Sequence, residues 1–274
     1  MTSLPIIDCH HHVFDPAQFP YDANSGYHPD GHELATPAYY QAVMEAYNIR
    51  HSLMVGPTSA YNLDNRCMLE AIRQSAGRSK GIAVTQRDVD SNTLAALKDR
   101  GVVGIAFNVA MLGTDPFLQL DDLMARLAEL EMFAQIQVQD DQLLALMPLL
   151  NRTRTKLIFD HSGRPDVNAG LSQPAFQALL ALAGQDRTWV KLSGMAKFSQ
   201  QRYPWHDAQP YLLALLDAFG ADACLWGSDW PFLRATERMD MGTQLLLLEK
   251  MIPDENTRRK ILWDTPKRLF GFHD

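Results

Sequence analysis

Leu4-Pro5-Ile6-Ile7-Asp8-Cys9-His10-His11-His12 is an apolar run that ends on three imidazoles. Side chains of an extended strand alternate between faces, so His10 and His12 share one face while His11 and Cys9 point to the other. Alternate Cα atoms lie about 6–7 Å apart, close enough for two imidazoles to meet on one metal ion or one oxyanion. The histidine run is three residues long and grows out of a strand-like segment, which separates it from a purification tag.

The same kind of short apolar run recurs along the chain, at 4–8, 52–55, 81–85, 102–107, 133–138, 156–160, 188–192 and 223–227. Near-continuous apolarity is expected of strands buried on both faces of a parallel sheet. Helix-like segments lie between them at 38–46, 63–75, 92–100, 121–131, 141–150, 173–183 and 209–219, and 243–251 follows the last. Asp121-Asp122 opens one helix and Gly220 closes another, as capping chemistry favours. Eight strand–helix repeats predict an α/β fold, a (β/α)8 TIM barrel formed as a single domain by residues 1–274. An open doubly wound sheet is the rival, but no GxGxxG or GxxxxGK[ST] turn follows any strand. Two long segments, 14–37 and 193–208, then fall at the C-terminal mouth, where barrel active sites sit. The tail at 253–270 is expected to pack on the outside of the barrel, with Ile261, Leu262, Trp263, Leu269 and Phe270 as packing residues.

Composition narrows the function classes. A chain of 274 residues with 46% hydrophobic and 21% charged residues falls in the ordinary globular range. A net charge of −7 argues against nucleic acid or an anionic membrane as the main partner. No apolar run approaches the roughly 20 residues that span a bilayer. Cys9, Cys67 and Cys224 are odd in number and lack CxxC spacing, so no disulfide framework is expected and the cytoplasm is the predicted setting.

In a barrel, strand C-termini converge. The first strand would bring His10 and His12, the sixth His161 and the eighth Asp229. Three imidazoles and a carboxylate suit a zinc or manganese ion with one position open to water. Asn108, Gln137 and Gln139 stand near the ends of strands four and five, where no Lys or Glu is found to bridge two metals, so at most one ion is expected.

These residues carry a family resemblance. Asp8-x-His10-x-His12, Asp160-His161-x-Gly163-Arg164-Pro165 and Gly227-Ser228-Asp229-Trp230-Pro231 resemble the amidohydrolase superfamily, in the branch that contains pyrone-dicarboxylate and sugar lactonases. Phe19-Pro20-Tyr21, Tyr27-x-Pro29, Pro57-Thr58-Ser59, Asp64-Asn65 and the close Pro266-Lys267-Arg268-Leu269-Phe270-Gly271 extend the likeness over nearly the whole chain. The resemblance implies that His10, His12 and His161 bind metal or polarise a substrate carbonyl, and that Asp229 is the general base for water. It leaves open one divalent ion or a metal-free mechanism, since the branch contains both.

Substrate contacts are expected from Tyr27, Ser59, Asn108, Gln137, Lys197 and Trp230. The resemblance implies Val-Arg-Phe-Asn at the fourth strand, yet Ile105-Ala106-Phe107-Asn108 stands there, so a bidentate carboxylate clamp is missing. Lys197 is the leading replacement, ahead of Arg66, Arg87, Arg202 and Arg234. Tyr21, Tyr61, Tyr203 and Trp205 join Tyr27 and Trp230 either as the walls of a pocket for a flat ring or as loop packing.

The expectation is a hydrolase that opens a lactone of a small organic acid, with an anionic small molecule as partner and a homodimer left open. A metal-dependent, non-oxidative decarboxylase of the same superfamily is the first rival. A binding protein on a retired hydrolase scaffold is the second. No Gly-x-Ser-x-Gly elbow offers a serine nucleophile.

Overall fold

The computed structural model describes residues 4–273. Eight strands form one parallel sheet in chain order: β1 (Ile6–His11), β2 (Ile49–Val55), β3 (Ser79–Ala83), β4 (Val102–Asn108), β5 (Phe133–Gln137), β6 (Lys156–Phe159), β7 (Thr188–Lys191) and β8 (Cys224–Leu225). The sheet closes on itself because β8 and the residues after it return to β1. Cys9 N–H donates to Trp226 O at 3.0 Å, Asp229 N–H to His10 O at 2.8 Å and His12 N–H to Trp230 O at 2.9 Å. The result is a (β/α)8 barrel.

The main outer helices are α1 (Pro37–Ala46), α2 (Arg66–Gln74), α3 (Ser91–Asp99), α4 (Asp121–Glu129), α5 (Gln142–Arg152), α6 (Pro174–Leu180), α7 (Gln209–Phe219) and α8 (Met241–Met251). Thr36 caps α1 by accepting from Tyr39 N–H, and Asp90 caps α3 by accepting from Thr93 N–H. The regular part of β8 is shorter than its apolar run.

Alternation along each strand sorts the apolar residues into two layers. Ile6, Met54, Ala83, Leu157, Phe159 and Val190 pack outward under the helices. Ile7, Leu53, Val55, Ile82, Phe133, Ile158, Trp189 and Leu225 fill the barrel interior. The tail departs from expectation here. Trp263, Phe270 and Phe272 join the interior cluster, and Phe272 stacks on His51 of β2. The last helical turns therefore stopper the N-terminal end of the barrel, while Ile261 and Leu262 belong to the outer layer. Each buried large side chain of this stopper is worth roughly 1.5–3 kcal/mol of apolar transfer energy.

Cys9 also corrects the strict alternation. It joins the interior cluster, whereas His11 is stacked outward on Tyr40 of α1 at 3.6 Å. The cause is a β-bulge: Asp8 pairs with Ser52 and His11 with Met54, so β1 spends one residue more than β2 over that step. The extra residue lets Cys9 and His10 face inward in succession, after which His11 and His12 resume alternation.

Candidate active site

The C-terminal mouth opens into a cavity of about 1030 Å³. At its floor three histidines surround one carboxylate oxygen. His10 Nε2 and His12 Nε2 each lie 3.7 Å from Asp229 Oδ1, and His161 Nε2 lies 3.6 Å from it. The four groups that the sequence drew from β1, β6 and β8 are thus brought together.

Two glycines make the convergence sterically possible. A Cβ on Gly227 would stand 2.6 Å from His10 Cβ, and one on Gly194 would stand 2.5 Å from His161 Cβ. His161 itself follows Asp160 inward because the backbone turns left-handed from His161 to Arg164, with φ of 49, 57, 73 and 44°. Three of those four residues are not glycine, so strain of order 1–3 kcal/mol each is concentrated beside the cavity. Asp229 has φ of 60° and belongs to the same class.

Behind the histidines lies a polar layer that strand patterns alone did not single out. Lys191 is fully buried. Its ammonium donates to Gln135 Oε1 at 2.7 Å and pairs with Asp160 Oδ1 at 2.9 Å, with His10 Nδ1 at 3.2 Å. Gln135 Nε2 donates to the other oxygen of Asp160 at 2.8 Å. Asp8 is equally buried and accepts from Ser228 N–H (2.9 Å), Ser228 Oγ (2.6 Å), Tyr40 OH (2.7 Å) and His10 N–H (3.1 Å). It ties β1 to the β8 loop and to α1. The available signal was a Lys and a Gln inside apolar strands, where neither can be hydrated and each requires a partner.

Burial dominates the electrostatics. It pushes His10 down to about 4, helped by Lys191, and holds His161 well below the usual imidazole range, so both are neutral near pH 7. For Asp229 burial works upward, but Lys197, His161, His12 and His10 outweigh it and keep the carboxyl well below its ordinary value. Lys197 Nζ lies 2.8 Å from Asp229 Oδ2. This pairing differs from the expected carboxylate grip, because the lysine is already engaged with the anion beside it.

His12 Nδ1 sits 2.8 Å from Val55 O, which fixes its proton there and frees the Nε2 lone pair. His10, His12 and Asp229 offer ligand atoms all within 4.8 Å of one another, as do His10, Asp160 and His161. In the second set the Lys191 ammonium lies against Asp160 Oδ1 and His10 Nδ1, whereas in the first the ammoniums of Lys191 and Lys197 meet His10 Nδ1 and Asp229 Oδ2 and leave the two Nε2 atoms and Asp229 Oδ1 for an ion. The donor chemistry therefore fits one divalent ion in the first set.

Tyr27, Ser59, Asn108, Gln137 and Lys197 line the cavity. Asn108 also caps the turn after β4, accepting from Met111 N–H at 3.1 Å. Trp230 is a correction: it is not among the lining residues, and its ring packs on Tyr40 at 5.1 Å and Tyr39 at 6.0 Å. The backbone turns left-handed at Asp229, and Trp230 is held by the His12 N–H···Trp230 O bond of 2.9 Å with its ring directed to α1. Among the other aromatics Trp205 lines the cavity, whereas Tyr21 and Tyr61 pack on each other and on Phe14 beneath the first loop.

A family model described as Amidohydrolase matches residues 7–272. The chain belongs to the amidohydrolase family. Among its relatives, the 4-sulfomuconolactone hydrolase of Rhizobium radiobacter is 35% identical over 274 residues, covering 96% of this chain and 89% of that protein. A Pseudomonas putida structure bearing the provisional name 2-pyrone-4,6-dicarboxylic acid hydrolase superposes with a TM-score of 0.89 at 30% identity, with full coverage of both chains. An Acinetobacter baumannii structure with the same provisional name and citric acid bound superposes at 0.85, with 27% identity, covering 98% of this chain and all of that one. This amidohydrolase thus shares its length and fold with proteins named for opening lactones.

Proposed function

We propose that this amidohydrolase is a lactone hydrolase that opens a cyclic ester of a small organic acid, of the pyrone-dicarboxylate or sugar-lactone kind, and that residues 1–274 act as one domain. The observation that carries the reading is the ring of three imidazole nitrogens, each 3.6–3.7 Å from one oxygen of Asp229, at the floor of an open cavity. A carboxylate held ionised beside the neutral imidazoles of His10 and His161 suits addition of water to a carbonyl.

Asp229 takes one proton from water as its oxygen bonds to the ring carbonyl carbon. The developing oxyanion lies against His10 and His161, whose Nδ1 atoms face the Lys191 ammonium and the Ser193 hydroxyl, so that each carries its proton on Nε2 and donates it. His12, with its proton on Nδ1, would take part through its Nε2 lone pair when an ion is bound. When the tetrahedral centre collapses, the ring C–O bond breaks and Asp229 returns the proton to the leaving oxygen. Lys197 keeps Asp229 ionised before the attack, while the buried Lys191–Asp160–Gln135 group holds the His10 ring from behind. One divalent ion, zinc or manganese, held by His10, His12, Asp229 and His161 would polarise the same carbonyl when bound. His10 and His161 serve that purpose alone in a metal-free mechanism. The described helices include none long and apolar enough to cross a membrane. Cys9, Cys67 and Cys224 are free and buried, which supports the cytoplasm as the setting.

The histidines among the described cavity-lining residues are His12 and His161, with His10 beneath them, and no further mouth histidine favours the decarboxylase reading. A panel of lactones and aromatic carboxylic acids, followed by acid release and by carbon dioxide evolution, tests the function. Acid from lactones is expected, with a loss of about 10²–10⁴-fold in Asp229→Asn that leaves the circular dichroism spectrum intact. Carbon dioxide without lactone opening, or a fully active Asp229→Asn protein, would overturn it. Elemental analysis of gently purified protein reports which ion, if any, accompanies the activity, with a ceiling of one per chain.

A further inference from the structure

Four cationic side chains line the cavity: Arg164, Lys197, Arg202 and Arg234. Two have evident partners: Lys197 pairs with Asp229, and the Arg234 guanidinium lies 4.2 Å over the Tyr27 ring. Arg202 is exposed on its loop, where water hydrates it. Arg164 is different.

Its backbone is pinned on both sides, with Arg164 N–H donating to His161 O at 3.0 Å and Asp140 N–H donating to Arg164 O at 3.1 Å. That pinning holds a left-handed conformation, φ 44° and ψ 60°, which a non-glycine residue adopts only when its surroundings impose it. The side chain is half-buried and makes no ion pair or hydrogen bond among the described residues, and its Nε is closed off from solvent with no partner. Asp229 and Asp140 contribute field at the guanidinium, but neither forms a salt bridge with it. An unmatched guanidinium in a partly dry wall is costly unless an anion arrives to meet it.

The neighbouring wall fits that role. Asn108, Gln137 and Gln139 present neutral amides around the same cavity, and Ala106 stands on β4 where an arginine was expected. No carboxylate among the described residues forms a salt bridge with Arg164, and Arg164 is the cavity-lining guanidinium that caps the His161–Gly163 turn.

We propose that Arg164 is the anion grip of this site, taking a carboxylate substituent of the lactone by paired N–H donation while the ring carbonyl meets the histidines. The inference rests on the lactonase reading and narrows it to lactones that carry an acid group away from the scissile ester. The guanidinium fork matches a carboxylate bidentately, which an ammonium cannot.

The test uses the full chain with Arg164→Met and Arg164→Lys, assayed on 2-pyrone-4,6-dicarboxylate and on its uncharged dimethyl ester. KM for the dianion should rise on the order of 10²-fold in Arg164→Met and about 10-fold in Arg164→Lys, with kcat changing little. KM for the diester should move less than about 3-fold. An unchanged KM for the dianion, or equal losses on both substrates, would overturn the grip. Citrate binding by calorimetry separates this proposal from the lactonase reading. If wild-type protein opens no lactone yet binds citrate at least 10-fold more tightly than Arg164→Met, the functional reading falls and the grip stands. Equal citrate binding by the two proteins removes the grip.

Discussion

Lys191 Nζ and Asp160 Oδ1 form an ion pair at 2.9 Å in the barrel interior, with the lysine inaccessible to solvent. The ammonium satisfies its donors on Asp160, Gln135 and the ring of His10, so one pair governs both the stability of the upper barrel and the posture of a candidate catalytic imidazole. The carboxyl of Asp160 feels burial pushing it upward, but Lys191 and His10 prevail and hold it low.

Lys191→Met should cost about 3–5 kcal/mol, because it strands the Asp160 carboxylate in a dry interior. Urea denaturation of Lys191→Met and of Lys191→Met with Asp160→Asn checks this. The double variant should recover part of the loss, since it removes the stranded charge.

Lys197→Met should raise the pKa of Asp229, because the nearest cation holding the carboxyl low is gone. The acidic limb of the pH profile of kcat/KM should therefore move to higher pH. A profile superimposable on that of the wild type would show that the limb does not report Asp229.

Gly227→Ala and Gly194→Ala should each displace a histidine, since the added Cβ would stand 2.6 or 2.5 Å from a His10 or His161 Cβ. A shift near 1 Å can cost about 10²-fold in rate. Gly26→Ala, which meets nothing within 4 Å, should behave like the wild type. Steady-state kinetics with thermal melts distinguishes lost geometry from lost fold.

Stability should decline as pH falls below about 6.5. Burial holds His10, His11 and His161 neutral in the folded protein, with His10 at about 4, whereas in the unfolded chain they protonate near 6.5. The unfolded state then binds more protons across that window, so unfolding becomes easier with each step down in pH. His11→Phe keeps a ring stacked on Tyr40 and removes one titrating group whose two nitrogens have no partner among the described residues, so it should flatten the slope. Denaturant midpoints at pH 7.5 and 5 measure both effects.

The barrel was legible in the sequence because a strand buried on both faces must be apolar along its length, and eight such runs alternated with amphipathic segments. His10, His12, His161 and Asp229 were legible because each sits at or just beyond such a run. Lys191, Gln135 and Asp160 were harder to read, since they lie within or at the ends of the runs and their meaning depends on three different strands meeting. Cys9 and Trp230 depart from simple alternation for a local reason: a bulge of one residue changes which side chains of β1 face inward, and a left-handed turn at Asp229 precedes the Trp230 ring that packs on α1.

By itself, the order of apolar and polar residues determined the strand–helix repeat and the set of imidazoles and carboxylate available to a site, because both follow from periodicity within short windows. The tertiary structure alone decided which of the cations near the site are committed to carboxylates and which are not. Lys191 is spent on Asp160, Lys197 stands against Asp229 and Arg164 faces the cavity unpaired, outcomes set by closure of the barrel, which brings together groups dozens of residues apart at distances where charge matters.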